Sequence, residues 1–198
     1  YLLEEIELPE FGQSEELPEI PATEFERRIL ATLEQMKRRG LEFLLVFADR
    51  EHAANLAYLT RLDPRFEEAL LLLHKSGMRK MLLGNECMGY TGICPIPMDY
   101  ELFQEFSLLG QDRSRSRPLL EICQSFGIQS GSTVGCSYYK YFSDELALDI
   151  PAYLANILTK LVGASGKVCN ACAIFMDAAT GLRQHNNLED LVRFEWAS

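Results

Sequence analysis

Apolar residues in the first half of the chain come in short dense runs: Phe43 to Phe47, Leu56 to Thr60, Phe66 to Leu73 and Met78 to Gly84. Each is too short for an amphipathic helix, so each is predicted to be a strand. Ala69 to Leu73 is continuously apolar and far too short to cross a bilayer, so it reads as a strand buried on both faces. The breaks between the later runs carry Asp63-Pro64 and Ser76-Gly77. Turns of this length join antiparallel neighbours, whereas parallel strands need a longer crossover, so this half is predicted to be a meander. Ahead of it, Thr23 and Glu26 have the spacing of a capping box. Phe25, Ile29, Leu33 and Met36 then fall on one helical stripe, and the cationic turn Lys37-Arg38-Arg39 with Gly40 marks its end.

After Glu86 the rhythm changes. A loop holding Gly89, Gly92, Pro95 and Pro97 gives way to alternating segments, with strands predicted at Phe106 to Leu109, Thr133 to Ser137 and Lys167 to Asn170. Helices are predicted at Leu119 to Phe126 and Pro151 to Val162, stopped by Gly127 and Gly163. Strands separated by helices imply parallel crossovers. The fold class is therefore α/β, with a mixed sheet (an antiparallel meander, then parallel strands) flanked by helices. The glutamates at 4, 5, 7, 10, 15, 16 and 19, with no Lys or Arg among them, predict an acidic extended leader over residues 1–22. Residues 23–180 form the expected domain. Leu188, Leu191, Val192 and Trp196 repeat at helical spacing and the sequence stops just after them without a cap, so residues 181–198 read as the start of a linker helix.

Composition narrows the function classes. With 198 residues, 47% of them hydrophobic and 24% charged, the chain can bury a full core. Its formal net charge of -10, with no basic cluster to offset it, argues against a nucleic-acid partner. No run is long enough for a membrane span. The six cysteines read as small apolar core residues, because no basic n-region and apolar h-region open the chain, and a reducing cytoplasm is the expected setting. Cys169 and Cys172 have the spacing of half a zinc site, but Cys87 and Cys94 do not supply the other half. Gly84 and Gly89 are followed by Tyr90-Thr91 where a phosphate loop needs Lys-Ser or Lys-Thr. No Gly-x-Ser-x-Gly elbow and no His-Glu-x-x-His occurs.

The densest chemistry lies at Asp49 to Tyr58, between two apolar runs and so at the rim of the sheet. Arg50, Glu51 and His52 with Asn55 supply a planar donor fork, an acid and a group that changes protonation near neutral pH. Such a cluster reads either as a solvated surface turn or as a binding site for an anionic or peptide ligand. It contains no nucleophile and no metal-ligand spacing.

The order Asn55-Leu56-Ala57-Tyr58-Leu59-Thr60, then Asp63-Pro64-Arg65-Phe66 and a Leu-rich strand, resembles the N-terminal domain of the creatinase, prolidase and Xaa-Pro aminopeptidase family of metallopeptidases. The resemblance continues in Gly84-Asn85-Glu86, Gln104-Glu105-Phe106, Lys140-Tyr141-Phe142 and Asp149-Ile150-Pro151-Ala152-Tyr153, and spans roughly residues 23 to 196. It implies a ribonuclease-H-like fold and no cofactor in this chain. The divalent metal pair (Mn, Co or Zn) belongs in that family to a C-terminal catalytic domain, which would be this chain's own partner. A homodimer and a short peptide substrate are implied with it. Arg50, His52, Asn55 and Tyr58 become the candidates for a position near the catalytic cleft. The rival expectation is a stand-alone small-ligand or protein-interaction module with the same fold.

Overall fold

The computed structural model describes residues 3, 5, 7 and 16–197, so most of the acidic leader lies outside the described residues. Two units are distinguished, residues 21–185 and the two chain ends (1–20 with 186–198).

The larger unit is built on a six-stranded sheet. Its strands are β1 (Phe43–Ala48), β2 (Ala69–His74), β3 (Arg79–Leu83), β4 (Asp99–Leu102), β5 (Thr133–Ser137) and β6 (Lys167–Asn170), in the order β4-β3-β2-β1-β5-β6. β1 and β2 pair antiparallel from Phe43 opposite His74 to Ala48 opposite Ala69, and β2 and β3 pair antiparallel in turn. β5 joins β1 in parallel, β6 joins β5 in parallel, and β4 runs parallel to β3.

Both central strands are apolar almost throughout because both faces of the sheet are covered. Alternation along β1 divides its side chains. Phe43, Leu45 and Phe47 join Leu70, Leu72 and Leu82 in a core closed by α3 (Leu119–Ser125) and α4 (Ala152–Val162), through Ile122, Leu154 and Leu158. Leu44, Val46 and Leu71 point to the opposite face and are fully buried as well. There lie α1 (Ala22–Arg38), α2 (Ala54–Thr60) and α5 (Ala173–Met176), which contribute buried Phe25, Ile29, Leu56, Leu59 and Phe175.

Three local expectations are corrected. Leu56 to Thr60 is not a strand but α2. Asn55, Leu56, Leu59 and Thr60 are its buried residues, a spacing that one helical face achieves and a strand, with its period of two, cannot. Phe106 to Leu109 is not a strand either. Phe106 closes a 3-10 turn (Gln104–Phe106), while Leu108 and Leu109 are exposed and have no face to bury against. The strand of that region is β4, at Asp99–Leu102, whose Asp99 and Glu101 both grip Lys80 of β3 (3.0 and 2.7 Å). The capping box is likewise unused. The helix starts at Ala22, one residue before Thr23, with Pro21 at its N-cap, and Glu26 reaches across to Arg79 instead (2.7 and 3.0 Å). The other strands and helices fall within a few residues of their predicted spans.

In the smaller unit, α6 (Leu188–Ala197) carries Leu188, Leu191, Val192, Phe194 and Trp196, all exposed. Among the described residues no helix is long and apolar enough to cross a membrane.

The β1–β2 pair is the centre of the core. Leu71→Ala, at a fully buried position on β2, is expected to destabilise the fold by about 2–5 kcal/mol, the range for emptying a well-packed leucine site. Urea unfolding followed by far-UV circular dichroism checks this, and an unchanged midpoint would count against the described packing.

Candidate functional site

The sheet edge where parallel β1 and β5 end carries a polar cluster built from the two segments that follow them. Crevices at the carboxyl ends of parallel strands are where open α/β sheets present their ligand-facing groups. Asp49, the residue after β1, turns the chain back on itself: its Oδ1 accepts from the backbone N–H of Glu51 (3.0 Å) and of His52 (2.8 Å). Its Oδ2 accepts from the hydroxyl of Tyr138, the residue after β5. His52 Nδ1 lies 3.1 Å from the same hydroxyl, and the imidazole stacks on Tyr139 at 3.9 Å between ring centres.

This geometry assigns the protons. A carboxylate only accepts, so the single phenolic proton of Tyr138 goes to Asp49, and His52 must donate Nδ1–H to the Tyr138 oxygen. Burial pushes the Asp49 carboxyl up, but the bonds from Tyr138, His52 and Glu51 outweigh it and leave the group below its ordinary value. Burial, and then the Asp49 carboxylate, raise the Tyr138 phenol above its ordinary value, so it stays protonated.

Of the four residues singled out from sequence, His52 alone joins this cluster by its side chain at the rim. Arg50 projects outward, 76% exposed, with Glu51 Oε1 at 3.8 Å. Asn55 is 2% exposed and bridges three elements: its Nδ2 donates to Ser137 Oγ (3.1 Å) and to the Tyr138 carbonyl (2.7 Å), and its Oδ1 accepts from Arg183 (2.8 Å). These bonds set the position of Tyr138 and direct Asn55 inward. Tyr58 turns away from the rim, under the Arg28 guanidinium (4.5 Å) and beside Phe175. Arg28 is itself buried and paired with Glu24 at 2.8 Å.

Tyr138, Tyr139, Asp149 and Arg183 were not among the sequence candidates. Asp149 Oδ2 accepts from the backbone N–H of Tyr139 (2.9 Å) and Lys140 (2.7 Å), holding the aromatic loop in place. The available signal was the position of Tyr138-Tyr139 immediately after a predicted strand that neighbours β1. Beside Asp49 lies an open groove of about 360 Å³ that Arg50, Phe66, Glu68 and Arg113 help to line.

All six cysteines are free thiols, and only Cys94 is not fully buried. Burial pushes Cys172 up to about 11, which keeps it a thiol at neutral pH. Among the described residues no three of His, Cys, Asp and Glu come together as metal ligands, so the donor set does not fit a metal pair. The cluster can hold and orient a polar group through His52; it offers no activated nucleophile.

No protein-family model and no curated protein sequence matches the chain. Solved structures do. The dipeptidase PepE from Mycobacterium ulcerans matches with a TM-score of 0.53 at 16% identity, over 91% of this chain and 40% of that one. A prolidase from Pyrococcus horikoshii matches with a TM-score of 0.51 at 11% identity, over 76% and 34%. The creatinase/prolidase N-terminal domain of an X-Pro dipeptidase from Streptococcus pyogenes gives 0.49 at 12% identity, over 73% and 92%. The chain has the creatinase/prolidase N-terminal fold. It spans only 40% and 34% of the length of the first two chains.

The depressed Asp49 carboxyl makes a signed prediction. A carboxyl lowered by folding contributes stability that is present above the unfolded value of about 3.9 and is lost as pH falls through the folded value. Asp49→Asn is therefore expected to cost about 1–2 kcal/mol at neutral pH, with the gap to the parent narrowing below about pH 4. Thermal unfolding of both proteins between pH 7 and pH 3 measures it. A gap that is constant over that range would mean Asp49 is not ionised in these bonds.

Proposed function

We propose that this chain is the non-catalytic N-terminal domain of a Xaa-Pro-type metallopeptidase, creatinase- or prolidase-like, that shapes substrate access and subunit contacts. The observation that carries the reading is the shared fold with peptidase chains of which this chain spans two fifths or less. In this reading the metal pair, Mn, Co or Zn, and the hydrolytic chemistry belong to a C-terminal catalytic domain, and the assembled protein is a cytoplasmic homodimer acting on short peptides. Free buried thiols fit a reducing compartment.

Within such an assembly the rim cluster has a definite task. His52, fixed by Tyr138 and stacked on Tyr139, and the outward Arg50 face the cleft and bind substrate, while Asn55 holds Tyr138 from behind. Orientation of this kind lowers the barrier by holding the scissile group in place, with no proton transferred by this domain. The rival reading, a stand-alone small-ligand or protein-interaction module, is favoured by one observation, a second cavity on the α3–α4 face.

The test is the protein expressed from the complete reading frame. It is expected to retain a divalent metal pair and to cleave Xaa-Pro peptides, whereas residues 1–198 alone do neither. In that protein His52→Ala is expected to lower kcat/KM by about tenfold, with metal content unchanged. A complete protein that binds no metal, or one whose kcat/KM ignores His52, would overturn the proposal in its whole or in its site respectively.

A further inference from the structure

A cavity of about 620 Å³ opens between the loop ahead of α3 and the first turn of α4, within the size range of small-ligand sites. Its wall is apolar, formed by buried Phe103 and Leu119 and half-buried Ile157. Four charged groups face it, and three are already spoken for. Arg113 pairs with Glu105 at 2.7 Å, and Arg117 pairs with Glu101 at 2.6 Å. Glu68 is the exception. Its Oε2 accepts from the Tyr153 hydroxyl at 3.1 Å, and no Lys, Arg or His among the described residues pairs with it.

We propose that this cavity binds a primary amine carried on an apolar body, its ammonium ion-paired with Glu68 and its body lying along Phe103, Leu119 and Ile157. The donor count decides the class. One half-buried carboxylate with one phenol oxygen beside it satisfies a monovalent ammonium, which also gains from the aromatic faces. The same pair is too few for a divalent ion, which takes six or more oxygens. An anion would have to displace Glu105 or Glu101 from its arginine. Burial, reinforced by the Asp49 carboxylate, raises the Glu68 carboxyl above its ordinary value, so the site gains by acquiring a cation. Besides Asp49, the titratable and charged groups that face Glu68 are Tyr153 on α4, Tyr138 after β5, Glu105 on the 3-10 turn and Arg113 on the following loop, whose charge pulls against the rise. This inference is independent of the peptidase reading.

The experiment is calorimetric titration of the 198-residue chain with 2-phenylethylamine, with 2-phenylethanol as the uncharged isostere. Saturable binding of the amine, at least about tenfold weaker for the alcohol and for Glu68→Gln, is the expected result. Glu68→Gln keeps an oxygen for the Tyr153 hydroxyl, so the fold is retained. Tyr153→Phe, at a partly exposed ring, is expected to weaken the amine about threefold and serves as the second variant. Binding should strengthen as pH rises through the Glu68 titration. A parallel titration with phenylalanyl-glycinamide distinguishes the source of the amine, since tighter binding of either compound assigns the site to a free amine or to a peptide amino terminus. No saturable binding by either, or equal binding of amine and alcohol, would overturn the proposal.

Discussion

Everything in this molecule is referred to the antiparallel pairing of β1 with β2. Six residues of one strand face six of the other, and nearly all are sealed from water. Because side chains alternate along a strand, a slip of one residue would exchange the α3–α4 face for the α1–α2 face along the whole pair. Both faces are buried, so hydrophobicity alone would tolerate that slip. Polar residues at the strand ends do not. Asp49 after β1 must meet Tyr138, and Glu67 and Glu68 ahead of β2 must meet separate partners. The apolar centre supplies the stability, and the polar ends specify the register.

The same logic ties the candidate site to the sheet. Asp49 uses one oxygen to fold the backbone of Glu51 and His52 and the other to hold Tyr138 on the neighbouring parallel strand. Asn55 repeats the device a turn later, reaching Ser137 and the Tyr138 carbonyl from α2. One tyrosine is thus held at its hydroxyl and at its backbone by two elements that follow β1. The orientation of His52 is inherited from that tyrosine and so from the sheet beneath it.

How much of this was legible follows from what each feature depends on. β1, β5, α3 and α4 were readable because burial specifies them, and burial leaves a pattern in the sequence. Leu56 to Thr60 was misread because the helix is only seven residues long, so the apolar run within it is too short to display a helical period; its Leu and Ala favour a helix and its Tyr and Thr a strand. β4 was missed because an edge strand held by Lys80 has charge where a buried strand has leucine. In the site, Asp49 and His52 were visible as a local cluster, but Tyr138 and Arg183 were not. Arg183 lies 128 positions from Asn55, and no local pattern records a hydrogen bond of that span.

The adjacent residues Glu67 and Glu68 show why sequence assigns a residue type more readily than a role. They are chemically alike and lie side by side just ahead of β2. Glu67 is 3% exposed, and its carboxylate accepts the backbone N–H groups of Glu86 (3.1 Å) and Cys87 (2.8 Å), which fastens the chain after β3. Gly84 makes room for it, since a Cβ at that position would stand 2.6 Å from the carboxylate oxygen and the Glu67 side chain would have to shift. Its capacity is thereby consumed by the fold. Glu68 lies over an apolar wall, where its carboxylate accepts one side-chain hydrogen bond, from the Tyr153 hydroxyl. Of two neighbouring carboxylates, one is committed to backbone donors and the other retains an oxygen free for a cation. The difference comes from where the chain ahead of β2 sends each carboxylate and not from the residues themselves.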